Sequence, residues 1–243
     1  MAIAMDRNFF TQVGLDSGSL TMLGCVLHRF SEPGEYRCVV LSGESTGAVF
    51  YVTSDPGCAV ASVNIDLAAL AGAAPVATGG AAGPDCGCGS GAQGTADGQH
   101  FVVHPRGHAV FHVSGGAGGY SVHARLAVED RDVLGYDTTA LVGGDIFSAV
   151  LMRPGRYSVR NTLSEARAEV TVAYPGTGQT AYRPPPPEVV DVRDEFQPAR
   201  VALRPMQGLN FNIHTTARIV IELEEPDDGP RGAAPRTSAR GAG

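Results

Sequence analysis

The sequence predicts an all-β protein: one or two antiparallel β-sandwich modules, a flexible Gly/Ala-rich linker and a disordered C-terminal tail. Three observations carry that expectation. Apolar and polar residues alternate with period two in one segment after another, the pattern of half-buried strands. Glycine (32) and proline (16) make up about a fifth of the chain and punctuate these segments as turns do. Helical periodicity is nearly absent.

Taken in order, residues 1–67 read as an N-terminal β module, with Tyr36, Cys38 and Val40 on one face of a strand. Residues 68–99 are low in complexity and rich in Ala and Gly, a linker or large loop that carries Cys86 and Cys88. Residues 100–174 form a central sandwich, in which Tyr120, Val122, Ala124 and Leu126 alternate with Ser121, His123 and Arg125, and Tyr157 and Val159 with Arg156, Ser158 and Arg160. Residues 175–187 end in four prolines, Pro184 to Pro187, too stiff for a helix and suited to an extended spacer. Residues 188–225 hold the last strands, marked by Val201 and Leu203, by Leu209, Phe211 and Ile213, and by Ile219, Ile221 and Leu223. The tail, 226–243, has little to bury.

Composition narrows the function classes. A net charge of −7 and a pI near 5.4 give no field that draws nucleic acid or anionic lipid. Every basic side chain among the 18 is Arg, which removes a Lys Schiff base and the P-loop Lys. No apolar run reaches the roughly 18 residues of a membrane span, and the start has no secretory h-region. The expected location is therefore cytoplasmic, unless the true N-terminus is missing. The five cysteines, Cys25, Cys38, Cys58, Cys86 and Cys88, fit reduced thiols better than a disulfide framework.

One stretch repeats. Phe30-Ser-Glu-Pro33-Gly34-Glu-Tyr36 is matched by Leu151-Met-Arg-Pro154-Gly155-Arg-Tyr157, and a Val stands sixteen residues beyond each proline, Val49 and Val170. Both copies read as a Pro-Gly turn feeding a strand with an inward Tyr, then a return strand. These hairpins resemble those near the end of cupredoxin-like and immunoglobulin-like domains, and Phe196-Gln-Pro198 with Val201, Leu203, Gly208, Leu209 and Phe211 is similar to the opening strands of a cupredoxin-like domain. The resemblance implies a β-sandwich. Where a copper cupredoxin carries Cys, His and Met, this chain has Ser42-Gly-Glu-Ser-Thr-Gly47 and Thr162-Leu-Ser-Glu-Ala-Arg167, so the resemblance implies no blue-copper site.

The stretch His100-Phe-Val-Val-His104-Pro-Arg-Gly107-His108-Ala-Val-Phe-His112 holds the candidate ligands. Pro105 suits a type I turn and Gly107 the left-handed residue of a bulged hairpin. Pairing across that turn sets His104 against His108 and His100 against His112. All four imidazoles then share one face, while Phe101, Val103, Ala109, Phe111 and Val113 form the core face. The two pairs stand about 13 Å apart, so at most two separate two-histidine sites result. His123 on the following strand, or Cys86 and Cys88, would complete a zinc or copper site.

Against this stands the plainer reading that histidines on a wet strand face are solvated polar residues. No Gly-x-Ser-x-Gly elbow, phosphate loop, dinucleotide fingerprint or His-Glu-x-x-His occurs. Gly115 to Gly119 precedes a strand, not the helix N-terminus that anion binding needs. The sequence thus favours a non-enzymatic structural or interaction protein, a subunit or accessory of a larger assembly, with a protein partner or a second copy as ligand. Its rival is a metal-binding protein using the hairpin histidines.

Overall fold

Period-two alternation becomes strands along nearly the whole described chain. A computed structural model describes residues 13–43, 45–72, 93–95, 98–128, 131–174 and 182–229. Cys86, Cys88, most of the Ala/Gly-rich stretch and the tail beyond Gly229 lie outside the described residues. Among the described residues there are eighteen strands and one helix. They run β1 (Gly14–Asp16), β2 (Gly24–His28), β3 (Gly34–Ser42), β4 (Ser45–Ser54), β5 (Ser62–Asp66), α1 (Leu67–Gly72), β6 (Gln93–Thr95), β7 (Gly98–Val103), β8 (His108–His112) and β9 (Tyr120–Val128). There follow β10 (Arg131–Asp137), β11 (Ile146–Val150), β12 (Gly155–Asn161), β13 (Arg167–Val172), β14 (Glu188–Val192), β15 (Phe196–Gln197), β16 (Arg200–Leu203), β17 (Gly208–Ile213) and β18 (Ile219–Pro226).

The chain is all-β, but its sheets are mixed rather than purely antiparallel. Four pairs run parallel: β4 with β7, β5 with β8, β13 with β16, and β14 with β17. Parallel neighbours need crossovers, and the crossovers here pass from one sheet to another, which strand-by-strand alternation does not reveal. α1 also departs from the linker expected there. Asp66 Oδ1 accepts from the Ala68 amide at 3.1 Å as an N-cap would, and Leu67 and Leu70 are buried.

The strand order exposes a duplication. A seven-stranded sheet runs β15-β14-β17-β11-β2-β8-β5, a six-stranded one β10-β9-β3-β4-β7-β6, and a five-stranded one β1-β18-β12-β13-β16. The pairings of β2, β3, β4, β5, β7, β8 and β9 recur, in the same sense, in β11, β12, β13, β14, β16, β17 and β18. The Ala/Gly-rich stretch therefore falls inside the first unit, and the Pro-rich stretch inside the second, rather than between modules as the sequence suggests. The twinned hairpin lies at equivalent places. Tyr36 Oη donates to the Glu32 carbonyl at 2.9 Å and Tyr157 Oη to the Arg153 carbonyl at 2.6 Å. Gly34 and Gly155 take φ of 147° and 145°, and a Cβ on either would press into the equivalent Leu126 or Leu223.

The two units join by β2 against β11. Leu27 pairs with Ile146, Val26 with Phe147 and Cys25 with Ser148, so the ladder is centred on Val26 and Phe147 and relates the units by a pseudo-two-fold axis. Directly paired residues point to one face of a sheet. Ile65, Phe111, Val26, Phe147, Phe211 and Val190 therefore form one buried row across six strands. The six- and five-stranded sheets cover that same face. Phe50 of the six-stranded sheet meets Phe111 at 6.4 Å between ring centroids, and Leu15 of the five-stranded sheet lies over Gly24. A reciprocal exchange completes the pattern: β1 leads into the first unit but pairs with β18 of the second, while β10 leads into the second but pairs with β9 of the first.

Because Phe147 belongs to the row both units share, Phe147→Ala should cost about 3–5 kcal/mol. Chemical denaturation should lower the stability of both units in one cooperative transition; two separate transitions would contradict the shared core.

Candidate functional site

The expected hairpin from His100 to His112 does not form. β7 lies in the six-stranded sheet and β8 in the seven-stranded one, so His100 and His112 never face each other. The corner between them bonds to another loop: the His104 amide donates to the Val60 carbonyl and the His108 amide to the Ala61 carbonyl, both near 3 Å. Gly107 is not left-handed. It is glycine because a Cβ there would sit 2.5 Å from the Ala61 oxygen. Parity itself holds, for Phe101, Val103, Ala109, Phe111 and Val113 are all buried.

The histidines are consequently dispersed. His100 stacks on Tyr51 at 4.6 Å on the outer side of the six-stranded sheet. His104 Nδ1 accepts from the Arg106 amide at 2.9 Å, closing its own turn. His108 Nε2 lies 3.2 Å from the Arg29 guanidinium, and partial burial followed by that charge lowers its pKa. His112 pairs across the ladder with Cys25 and Asp66, and His123 lies 3.3 Å from Asp137. Among the described residues no three His, Cys, Asp or Glu groups are placed to hold a metal ion. Burial pushes the thiols of Cys25 and Cys38 up, away from the reactive thiolate.

A different constellation emerges at one end of the seam between the units. His28, one step beyond the Leu27 and Ile146 pair, bonds through Nδ1 to Asp145 Oδ1 at 2.6 Å; the two residues are 6% and 2% exposed. Asp145 Oδ2 accepts from the Val142 amide at 2.8 Å. Tyr136 of β10 stacks on His28 at 3.8 Å and 20°, and Phe30 meets it edge-on at 4.7 Å. The Tyr136 hydroxyl is buried without a hydrogen-bond partner among the described residues. Burial first, then the Asp145 and Asp137 carboxylates and Cys38, push that phenol well above its ordinary pKa. Asp145 occupies Nδ1, so the ring position left over is Nε2, which in the neutral imidazole is an acceptor.

The pseudo-two-fold supplies an internal control. Both ends of the seam keep the same turn, in which the Asp145 amide donates to Val142 and the Gly24 amide to Thr21 after a left-handed residue, Gly144 or Leu23. At the far end Ala149 stands for His28, Gly24 for Asp145, and Leu15 for Tyr136, and the Phe147 ring and Leu15 fill the space above Gly24. One end is dry and apolar; the other holds three buried polar side chains. Beside the polar end lies a pocket of about 630 Å³, whose walls include His28, Glu32, Tyr36, Leu126, Leu134 and Asp145. Val133 and Leu134 of β10 are 52% and 56% exposed at its rim. No motif in the sequence marks these residues. The available signal was the mismatch of a polar against a small residue when the two Pro-Gly-x-Tyr copies are aligned.

Two substitutions probe the polar end. Asp145→Ala strands a buried imidazole and should destabilise by about 3 kcal/mol, whereas Tyr136→Phe removes an unpaired buried hydroxyl and should be neutral or stabilising by up to about 1 kcal/mol. Urea midpoints would show it, and a large loss in Tyr136→Phe would mean that the hydroxyl has a partner. Comparison with protein-family models, with curated proteins and with solved structures returned no match.

Proposed function

We propose that the chain is a non-enzymatic interaction protein that captures an extended segment of a partner along β10. Among the described residues β10 is an edge strand seven residues long, with one ladder neighbour, β9. Its pseudo-equivalent, β1, has three residues and is fastened by the Arg218 guanidinium, which makes two bonds to Asp16. An edge strand offers a row of unpaired amides and carbonyls, and adding a strand to it satisfies them while neighbouring pockets select side chains. The observation that carries this reading is the pairing of an open edge with a pocket: Val133, Leu134 and the 42% exposed Val142 border a cavity lined by a buried His-Asp pair. Burial pushes the Cys25 and Cys38 thiols up, away from the thiolate that a cysteine nucleophile needs. The tyrosine-to-carbonyl bond in each hairpin supports reading both units as sandwiches of the cupredoxin-like or immunoglobulin-like kind.

A photo-reactive amino acid at position 134 should cross-link one partner from the native lysate, and the same group at Val189 on the opposite face of the seven-stranded sheet should not. The purified partner should slow hydrogen exchange of the β10 amides. A chain that stays a bare monomer at high concentration and captures no partner from its lysate, or a partner that leaves β10 exchange unchanged, counts against the proposal.

A further inference from the structure

Resting on the edge-strand reading, we infer that the pocket is a subsite for a guanidinium group carried by the partner segment, held between His28 Nε2 and the Glu32 carboxylate. His28 lines the pocket while 94% buried, and among the described residues Nε2 makes no hydrogen bond. Asp145 takes up Nδ1, so the position open to a ligand is Nε2, an acceptor in the neutral ring. Glu32 stands at the exposed mouth, where its carboxylate has no ion-pair partner among the described residues. Arg29, also in the wall, does not pair with it, because its guanidinium is engaged at His108 at 3.2 Å. Tyr36 bonds to the carbonyl of Glu32 and leaves the carboxylate open. Glu32 is thus the charged wall residue that no ion pair answers, since Arg29 is engaged at His108 and Asp145 at His28, and Leu126, Val133 and Leu134 between them suit an aliphatic stem.

A guanidinium is all donor, planar and forked, so one group can serve an imidazole lone pair and a carboxylate together. The dry end again acts as a control. In place of Glu32 it has Arg153, which is paired with Asp228 at 3.3 Å, and Ala149 and Gly24 replace the His-Asp pair. Charge preference is therefore reversed, and the acceptor is missing, at the end that has no such subsite.

The test titrates the isotope-labelled full chain with Nα-acetyl-arginine methylamide and, separately, with its neutral isostere Nα-acetyl-citrulline methylamide. The arginine probe should shift the amide resonances of Gly135, Gly143 and Gly144 saturably, at least tenfold more tightly than the citrulline probe. Glu32→Gln, at an exposed position that should not affect folding, should weaken the arginine probe at least fivefold and leave the citrulline titration unchanged. His28→Ala should abolish both. Equal affinity for the two probes, shifts elsewhere in the chain, or indifference to Glu32→Gln would overturn the inference. Should Glu32→Gln leave partner-induced protection of β10 intact while the arginine probe fails, the edge-strand reading survives and the guanidinium subsite does not.

Discussion

The ladder between β2 and β11 is the constraint on which the remaining architecture depends. Setting Val26 opposite Phe147 places one apolar face on seven strands at once, and that face decides where the other two sheets must lie. The row from Ile65 to Val190 is continuous through the seam, so parting the halves would open it between Val26 and Phe147. Apolar area removed from water is worth roughly 25 cal/mol per Å², and five of the six residues in that row are fully enclosed. The duplicated units therefore share one buried row between two topological copies.

A pseudo-symmetric seam has two equivalent ends, and their divergence is informative. The Gly24, Ala149 and Leu15 end does what a core requires and nothing more. At the other end, burying an imidazole, a carboxylate and a phenol carries a desolvation penalty that their mutual bonds only partly offset, and one hydroxyl has no bond at all among the described residues. Stability alone would select the apolar version already present at the far end. The polar version sits where β10 is long, exposed and bulged around Gly135.

Local pattern told the truth about local geometry and little about partnership. Alternation placed Phe101, Phe111 and Tyr157 inward, and the Pro-Gly-x-Tyr echo located the duplicated hairpins. The same alternation, read across Pro105 to Gly107, suggested a hairpin, because a turn within a sheet and a corner between sheets have the same periodicity. What distinguishes them is the carbonyl of Ala61, a residue far off in sequence. His28 was invisible for a related reason: on an inward strand position it reads as a stray core histidine until the ladder brings Asp145 beside it across 117 residues. Asp145 likewise reads as the end of a Gly-Gly turn.

The exchange of β1 and β10 also fixes how the molecule would bear mechanical load. β1 runs antiparallel to β18, with Gly14 against Glu222, so tension applied at Gly14 and at Pro226 leaves the sheet from the same side. Rungs in that geometry are peeled one at a time instead of being sheared together. Pulling would detach the short N-terminal strand early, with the Arg218 and Asp16 clamp as the principal resistance, and expose the flank of β18 while the seam between the units still held.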